Sequence, residues 1–271
     1  MLPILGRLLE KAVGQQLQRH CDTNAIIPVQ QFGFRKHSSC ELALIAAQDS
    51  WIQEVSSGSY VGALMIDISK AFDSVVHEQL LSELDTIGCD NVSLRWFHLD
   101  SRVQRVKAGA EVAQWKSVLR GVPQGSPLSP LLFNILVRHL PSASGAECFQ
   151  FADDLTNSAA DPNLDSLRLK LQNIYQNVKQ YCMSCNMQIN LKKTQLIIFK
   201  KSGKKVPDDF QVVLDDVAVI PEKEVKLLGV TIDHHFTMAS HISNTVTKCH
   251  GLLGVMKRAS VYLPRDALKL M

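Results

Sequence analysis

The sequence predicts an α+β fold in which an antiparallel sheet is packed with helices, and three stretches carry that prediction. Phe149-Gln150-Phe151-Ala152-Asp153-Asp154-Leu155-Thr156-Asn157 places two adjacent acids between two short runs of strand-forming residues, the pattern of a β-hairpin with the acids in its tight turn. Tyr60 to Ile68 is a buried-strand pattern interrupted by a single charge, Asp67. Asn163 to Met183 is a long amphipathic helix with Leu164, Leu167, Leu171, Ile174, Tyr175 and Val178 on one face.

The remaining elements follow in order. Leu5 to Leu17 carries a near-helical apolar stripe (Leu5, Leu8, Leu9, Ala12, Val13, Leu17) and is expected to pack as an amphipathic helix. Gln30 to Ser39 is a Gly-containing loop with two cations, Arg35 and Lys36, ahead of a helix from Cys40 to about Val55 with Ser38 or Ser39 as its N-cap. Such a loop is either a solvated turn or a receiver of phosphates. Ser56 to Ser59 is a flexible joint before the Asp67 strand, and His77 to Ile87 is helical with Gly88 as its stop. Residues 102 to 118 read as a hairpin turning at Ala108-Gly109-Ala110, whose Arg102, Arg105 and Lys107 fit a polyanion track or a plain exposed edge.

Arg120 to Pro130 is a loop that opens a helix from about Pro130 to Leu140. Its glycines on either side of Gln124 let a ligand approach the backbone closely, although a purely structural loop fits as well. Gln188 to Thr194 leads into a strand from Gln195 to Phe199, followed by a basic turn, Lys200 to Lys205. Val225 to Ile232 forms a further strand or hairpin, and Ala239 to Lys257, with Ile242, Val246, Leu253 and Met256, a last helix.

Composition bounds the function. A chain of 271 residues, 46% hydrophobic and 20% charged, builds a substantial core in one domain or two to three subdomains. The net charge of +3 is unevenly spread: residues 192 to 271 carry 13 Lys+Arg against 8 Asp+Glu, which makes this third the polyanion-facing part. Seven scattered cysteines, an odd number, point to a reducing, intracellular setting. Cys182 and Cys185 fall inside the long helix with no second Cys/His pair at zinc-finger spacing, so they read as a buried pair one turn apart. The N-terminus lacks the basic segment and apolar length of a signal peptide. The longest uncharged run, Gly121 to Val137, contains three prolines and is no membrane span.

An Asp-Asp turn by itself is as readily a solvated turn. Asp67 changes the reading, because a charge inside an apolar strand is costly to bury unless compensated. Three carboxylates converging from two strands offset one another only around cations, and hard divalent metals such as Mg2+ are held by a few carboxylates together with substrate phosphates.

Six segments in this order, Gln31-Phe32-Gly33-Phe34-Arg35, Asp67 to Asp73, Gly121 to Pro130, Phe151-Ala152-Asp153-Asp154, Asn190 to Thr194 and Leu228-Gly229, resemble the successive motifs of reverse transcriptases from non-LTR (LINE-type) retrotransposons, nearest the Jockey-like groups. The resemblance runs from about residue 5 to about residue 260. It implies a right-hand polymerase fold with fingers (1–60), palm (61–87 and 119–236), a fingers or connecting hairpin (88–118) and the start of a truncated thumb (237–271). It implies RNA-directed DNA polymerase activity, with Asp67 and Asp153 holding two Mg2+ ions, Mn2+ being an alternative, and Asp154 beside them. Lys193 then matches a cation that steadies or protonates the leaving pyrophosphate, Phe72 the aromatic gate against a ribose 2′-hydroxyl, and Gln124 a glutamine near the incoming nucleotide. Arg35 and Lys36 are candidate triphosphate contacts, and Leu228 and Gly229 resemble the primer-grip hairpin.

The implied partners are an RNA template, a DNA primer and deoxynucleoside triphosphates, without a membrane, and the implied location is the nucleus. Two departures stand out: Val76 occupies a position commonly acidic in these relatives, and the usual tryptophan before Asn190 is not evident, Tyr181 being nearest. An endonuclease domain and a C-terminal zinc-knuckle region are not evident, so the chain resembles a palm-centred fragment of a larger polyprotein. The competing expectation is a degenerate or domesticated element that binds nucleic acid without extending primers.

Overall fold

The computed structural model describes residues 4–97, 103–109, 111–118, 120–123, 125–260 and 262. The chain opens with α1 (Ile4–Thr23) and α2 (Cys40–Ser56), then enters the central strand β1 (Tyr60–Ser69). Ser39 is the N-cap of α2, its hydroxyl accepting from the Leu42 N–H at 3.2 Å. α1 is longer than its stripe predicts, and its first two turns leave Ile4, Leu5, Leu8 and Leu9 exposed. Only its second half crosses the core, through Leu17 and Cys21.

After β1 come the single turn α3 (Ala71–Ser74), then α4 (His77–Thr86) and α5 (Asn91–Trp96). The predicted hairpin is two nested two-strand ladders: β2 (Val103–Gln104) pairs with β5 (Lys116–Ser117), and β3 (Lys107–Ala108) with β4 (Glu111–Val112) around Gly109. Arg102 lies outside the described residues. The helix expected from Pro130 to Leu140 divides into α6 (Ser129–Leu136) and α7 (Leu140–Ser144), the second closed by left-handed Gly145. The buried Arg138 sits between them and pairs with Glu83 of α4.

The acid hairpin is β6 (Glu147–Phe151) and β7 (Asp154–Asp161), and α8 (Leu164–Ser184) follows, capped by Asn163 accepting from the Asp165 and Ser166 N–H groups. β8 (Gln188–Ile189) and β9 (Gln195–Phe199) complete a five-stranded antiparallel sheet in the order β6-β7-β1-β8, with β9 also pairing β1. The chain ends with the ladders β10 (Val212–Leu214)–β11 (Val217–Val219) and β12 (Glu224–Leu227)–β13 (Val230–Asp233), then α9 (Ala239–Ala259). None of the α9 residues is buried, so its expected apolar face, Ile242, Val246 and Leu253 included, stays in solvent.

β1 is covered on both sides, which is why it reads as an almost unbroken apolar run. Leu64, Ile66 and Ile68 face α8 through Leu167, Leu171, Ile174 and Val178. Val61 and Ala63 face a second cluster built from Leu44, Ala47 and Trp51 of α2 with Phe199 and Val225. There the Trp51 ring stacks on Phe199 at 4.9 Å and meets Phe149 edge-on at 6.1 Å. All seven cysteines are free, Cys182 buried and Cys185 half-buried at the end of α8. Among the described residues no helix is long and apolar enough to cross a membrane.

The segment 120–122 lies along 72–76 and fastens the loop before α6 to the end of β1. Gly121 N–H donates to the Val75 carbonyl (2.8 Å), Val122 N–H to that of Phe72 (3.0 Å), and the buried His77 ring meets the Gly121 carbonyl (2.9 Å). Val76 bridges Arg120 in this contact. Gly121 has φ +89, and a Cβ there would stand 3.1 Å from both Cα and O of Asp73. Gly121→Ala is therefore expected to destabilise the protein by about 2 kcal/mol, left-handed strain and backbone crowding acting together. Urea unfolding checks this, and a loss below about 0.5 kcal/mol would show that the site is soft.

Candidate active site

Strand register brings the acids together. Met65 stands opposite Thr156, Ile66 opposite Leu155 and Asp67 opposite Asp154, so the two carboxylates are direct cross-strand neighbours on one face of the sheet. Asp153 precedes Asp154 in the β6–β7 turn. Asp67 lies beyond the reach of β9, which pairs only Val61 to Met65, and just before β8 begins at Ile68. A strand that is buried elsewhere thus opens to solvent at its acid, where the side chain is 34% exposed.

The gap between β8 and β9 is filled by the turn 190–194. Asn190 N–H donates to the Asp67 carbonyl (2.8 Å), and Lys193 and Thr194 N–H donate back to the Asn190 carbonyl. This turn carries Lys193, whose Nζ is 3.9 Å from Asp67 Oδ1. Asp67, Asp154, Lys193, Lys226 and Leu228 line a shallow cleft of about 140 Å³. Leu228 and Gly229 are the left-handed pair (φ 47 and 88) that turns β12 into β13, as a two-residue hairpin loop requires.

Desolvation, then the charges of Asp153 and Asp67, push the Asp154 carboxyl above the usual carboxylate range. A cross-strand pair of hard oxygen donors with a third acid in the adjoining turn suits a hard cation. Among the described residues no three His, Cys, Asp or Glu side chains form a ready-made metal cage. Mg2+ does not need one, because one or two carboxylates, waters and substrate phosphates complete its octahedron. Carboxylates drawn from Asp67, Asp153 and Asp154 would supply those one or two ligands.

The acid turn is braced from a distant part of the chain. Ala152 has φ 59, a left-handed conformation that costs a residue with a Cβ about 1–2 kcal/mol. Its N–H donates to Gln31 Oε1 at 2.9 Å, and the same oxygen accepts from the Gly33 N–H at 2.8 Å. Segment 30–32 runs along the β6 edge through Phe32 N–H to the Gln150 carbonyl and Gln150 N–H to the Gln30 carbonyl. Asn134 of α6 holds the Gly33 carbonyl at 2.9 Å. The sequence reading passed over Gln31 as a bracing group, as well as Asn134 and the buried Glu10, which accepts from Ser126 Oγ at 2.6 Å. The available signals were polar residues inside apolar surroundings, at Asn134 among the uncharged residues of α6 and at Glu10 among the leucines of α1.

The other expected site residues are placed as follows. Phe72 is half-buried and stacks on Phe133 of α6 with ring centroids 4.6 Å apart. Gln124 lies outside the described residues; nearby, Ser129 Oγ donates to the Pro123 carbonyl and Ser126 Oγ accepts from Leu128 N–H. Arg35 donates to the Pro28 carbonyl at 2.9 Å, and Lys36 faces Asp22 at 3.8 Å. Neither lines the acid cleft; Lys36 borders a separate one of about 480 Å³ with Lys11, Arg19 and Phe34. In the basic turn, Lys200 donates to the Lys204 carbonyl, and Lys204 bonds the Gly58 carbonyl while lying over the Tyr60 ring. Those two lysines are engaged within the fold.

The raised Asp154 group has a defined stability signature. Its ionised form is disfavoured in the folded state, so the associated cost is absent below the ordinary carboxylate range and grows as pH rises through the raised folded value. With divalent cations chelated, Asp154→Asn is expected to raise the melting temperature at neutral pH, and the gain should shrink as the solution is acidified. Thermal melts across pH test this; a gain independent of pH would locate the effect elsewhere.

Residues 1–232 match the family described as Reverse transcriptase (RNA-dependent DNA polymerase). The chain is 24% identical over 259 residues to the probable RNA-directed DNA polymerase from transposon BS of Drosophila melanogaster, covering 92% of this chain and 28% of that protein. It is 26% identical over 254 residues to the RNA-directed DNA polymerase from mobile element jockey of the same organism, covering 90% and 27%. The chain thus spans little more than a quarter of the length of these relatives. Apo telomerase from Candida tropicalis superimposes with a TM-score of 0.56 at 12% identity, over 86% of this chain and 40% of that one. Telomerase from Candida albicans in complex with a TWJ fragment of telomeric RNA gives 0.54 at 14%, over 85% and 39%. At such identities the structural likeness speaks for the polymerase fold alone. The family match spans most of the sequence and includes every strand of the acid-bearing sheet: this chain belongs to the reverse transcriptase (RNA-dependent DNA polymerase) family.

Proposed function

We propose that this chain is the polymerase region of a non-LTR retrotransposon polyprotein and adds deoxynucleotides to a primer 3′-hydroxyl on an RNA template. The observation that carries the proposal is the cross-strand pairing of Asp67 with Asp154 beside Asp153, in a cleft that also holds Lys193. Phosphoryl transfer depends mostly on positioning and charge neutralisation, so no covalent nucleophile is required. In this reading residues 1–60 are fingers, 61–87 and 119–236 palm, 88–118 a connecting hairpin and 237–271 the start of a thumb.

Two Mg2+ ions held by Asp67 and Asp153, with Asp154 beside them, would supply activation of the primer hydroxyl and neutralisation of the triphosphate. Lys193 is 69% exposed, long enough to swing from Asp67 to a departing pyrophosphate and steady or protonate it. Phe72, backed by Phe133, is rigid enough to exclude a 2′-hydroxyl. Gln124 would contact the incoming nucleotide, Leu228 and Gly229 would support the primer end, and Arg35 and Lys36, which stand outside the acid cleft, would reach the triphosphate from the fingers. The partners are an RNA template, a DNA primer, deoxynucleoside triphosphates and the remaining regions of the polyprotein; copying into chromosomal DNA would place the work in the nucleus.

Primer extension on an RNA template with Mg2+ tests the reading. The wild-type chain should extend and Asp153→Asn should lose on the order of 10²-fold or more in rate. A folded wild-type chain that binds primer–template yet extends nothing under permissive conditions would establish the silent, nucleic-acid-binding remnant instead. Phe72→Ala should admit ribonucleotides, and an unchanged deoxynucleotide preference in that variant would remove Phe72 from the gate.

A further inference from the structure

The peptide groups on both sides of Ala152 are gripped by one side chain that comes from 121 residues away. Gln31 Oε1 accepts the Ala152 N–H at 2.9 Å, and Gln31 Nε2 donates to the Ala152 carbonyl at 3.4 Å. The amide orientation is fixed by the two N–H groups, of Ala152 and Gly33, that converge on its oxygen. Gln31 is 1% exposed, so water does not compete for these bonds.

Two neighbours make the grip stiff. A Cβ at Gly33 would sit 2.3 Å from Ala152 N, so the Gly33 backbone lies flush against the turn. Gln150 Nε2 adds a second donor to the Ala152 carbonyl at 3.0 Å. Without the Gln31 amide, that carbonyl keeps the Gln150 bond, but the N–H loses its acceptor. Relaxation of Ala152 from φ 59 toward the ordinary region that a residue with a Cβ prefers is then resisted only from the carbonyl side, by the Gln150 bond, and by the hairpin register. Such a relaxation would rotate the peptide from which Asp153 hangs.

We infer that Gln31 is a positioning residue: it locks Ala152 in the left-handed conformation and so fixes where Asp153 presents its carboxylate beside the Asp67–Asp154 pair. It acts through Ala152 and touches no substrate. The consequence for catalysis rests on the polymerase reading above, whereas the lock itself does not. The inference also gives the Gln31-Phe32-Gly33 motif a task separate from that of the cations Arg35 and Lys36.

The test uses the full 271-residue chain with Gln31→Met, which keeps the side-chain length but removes both polar ends, and the double variant Gln31→Met/Ala152→Gly. Amide hydrogen exchange is measured without substrate, and single-turnover primer extension with it. In Gln31→Met the Ala152 and Asp153 amides should exchange at least tenfold faster while the β1–β7 ladder keeps its protection. The extension rate constant should fall at least tenfold, with the deoxynucleotide KM and primer–template Kd within twofold of wild type. Because glycine adopts φ > 0 freely, adding Ala152→Gly should recover at least threefold of the lost rate.

Unchanged exchange at Ala152, a uniform loss of protection across the ladder, or no recovery in the double variant would each overturn the inference. If Gln31→Met does not fold, the double variant should fold, since it no longer holds a strained alanine, and its failure would count the same way. A wild-type chain that extends no primer defeats the polymerase reading and leaves the exchange arm to decide the lock.

Discussion

Two carboxylates face each other where β1 and β7 meet, and a third hangs in the adjoining turn. Their mutual repulsion is the constraint around which the rest of the structure is arranged. Like charges placed directly across a ladder oppose pairing, and burial first, then the charges of Asp153 and Asp67, push the Asp154 carboxyl up. The register does not slip to relieve it, because a one-residue shift would send Leu64, Ile66 and Ile68 out of the α8 core. Apolar packing on both faces of β1 thus holds the acids in a position that their own charges resist. A cation is the natural counterpart of such an arrangement.

The structure also shows how the acids stay reachable inside a buried sheet. β9 ends its pairing at Met65 and β8 begins at Ile68, leaving Asp67 flanked on that side by the turn 190–194 rather than by a strand. One interruption in the ladder therefore opens the cleft and delivers Lys193 to it. The loop following β5 is tied to the same region through Gly121, Val122 and His77. The Gln31 segment reaches it from the opposite edge. Parts of the chain more than 100 residues apart are thereby made to meet within a few ångströms, chiefly by backbone hydrogen bonds that do not depend on which side chains surround them.

Much of this was legible in the residues. The acid hairpin, the single charge in β1, the amphipathic α8 and the Ser39 cap of α2 each rest on local signals: alternation, helical periodicity, a capping side chain. Local signals failed where burial depends on what lies opposite. The stripes of α1 and α9 have the right spacing to be packed, yet the leucines at the start of α1 stay exposed and no residue of α9 is buried. The break between α6 and α7 was likewise hidden, because Val137-Arg138-His139 contains neither glycine nor proline and the Arg138–Glu83 pair that takes up the junction joins residues far apart in the chain.

The sequence by itself determined that acids stand at Asp67, Asp153 and Asp154, where the acid hairpin, β1 and α8 lie, and, through the order of its motifs, the family. Those properties are encoded within a few residues of one another. Only the tertiary structure decided that Asp67 stands against Asp154 and that Lys193 fills the gap beside them. It alone also decided that Arg35 turns to its own loop and that Gln31 grips Ala152. Such pairings join residues far apart along the chain, and a hydrogen bond or strand register across that distance is chosen by how whole layers pack, which no local pattern of side chains records.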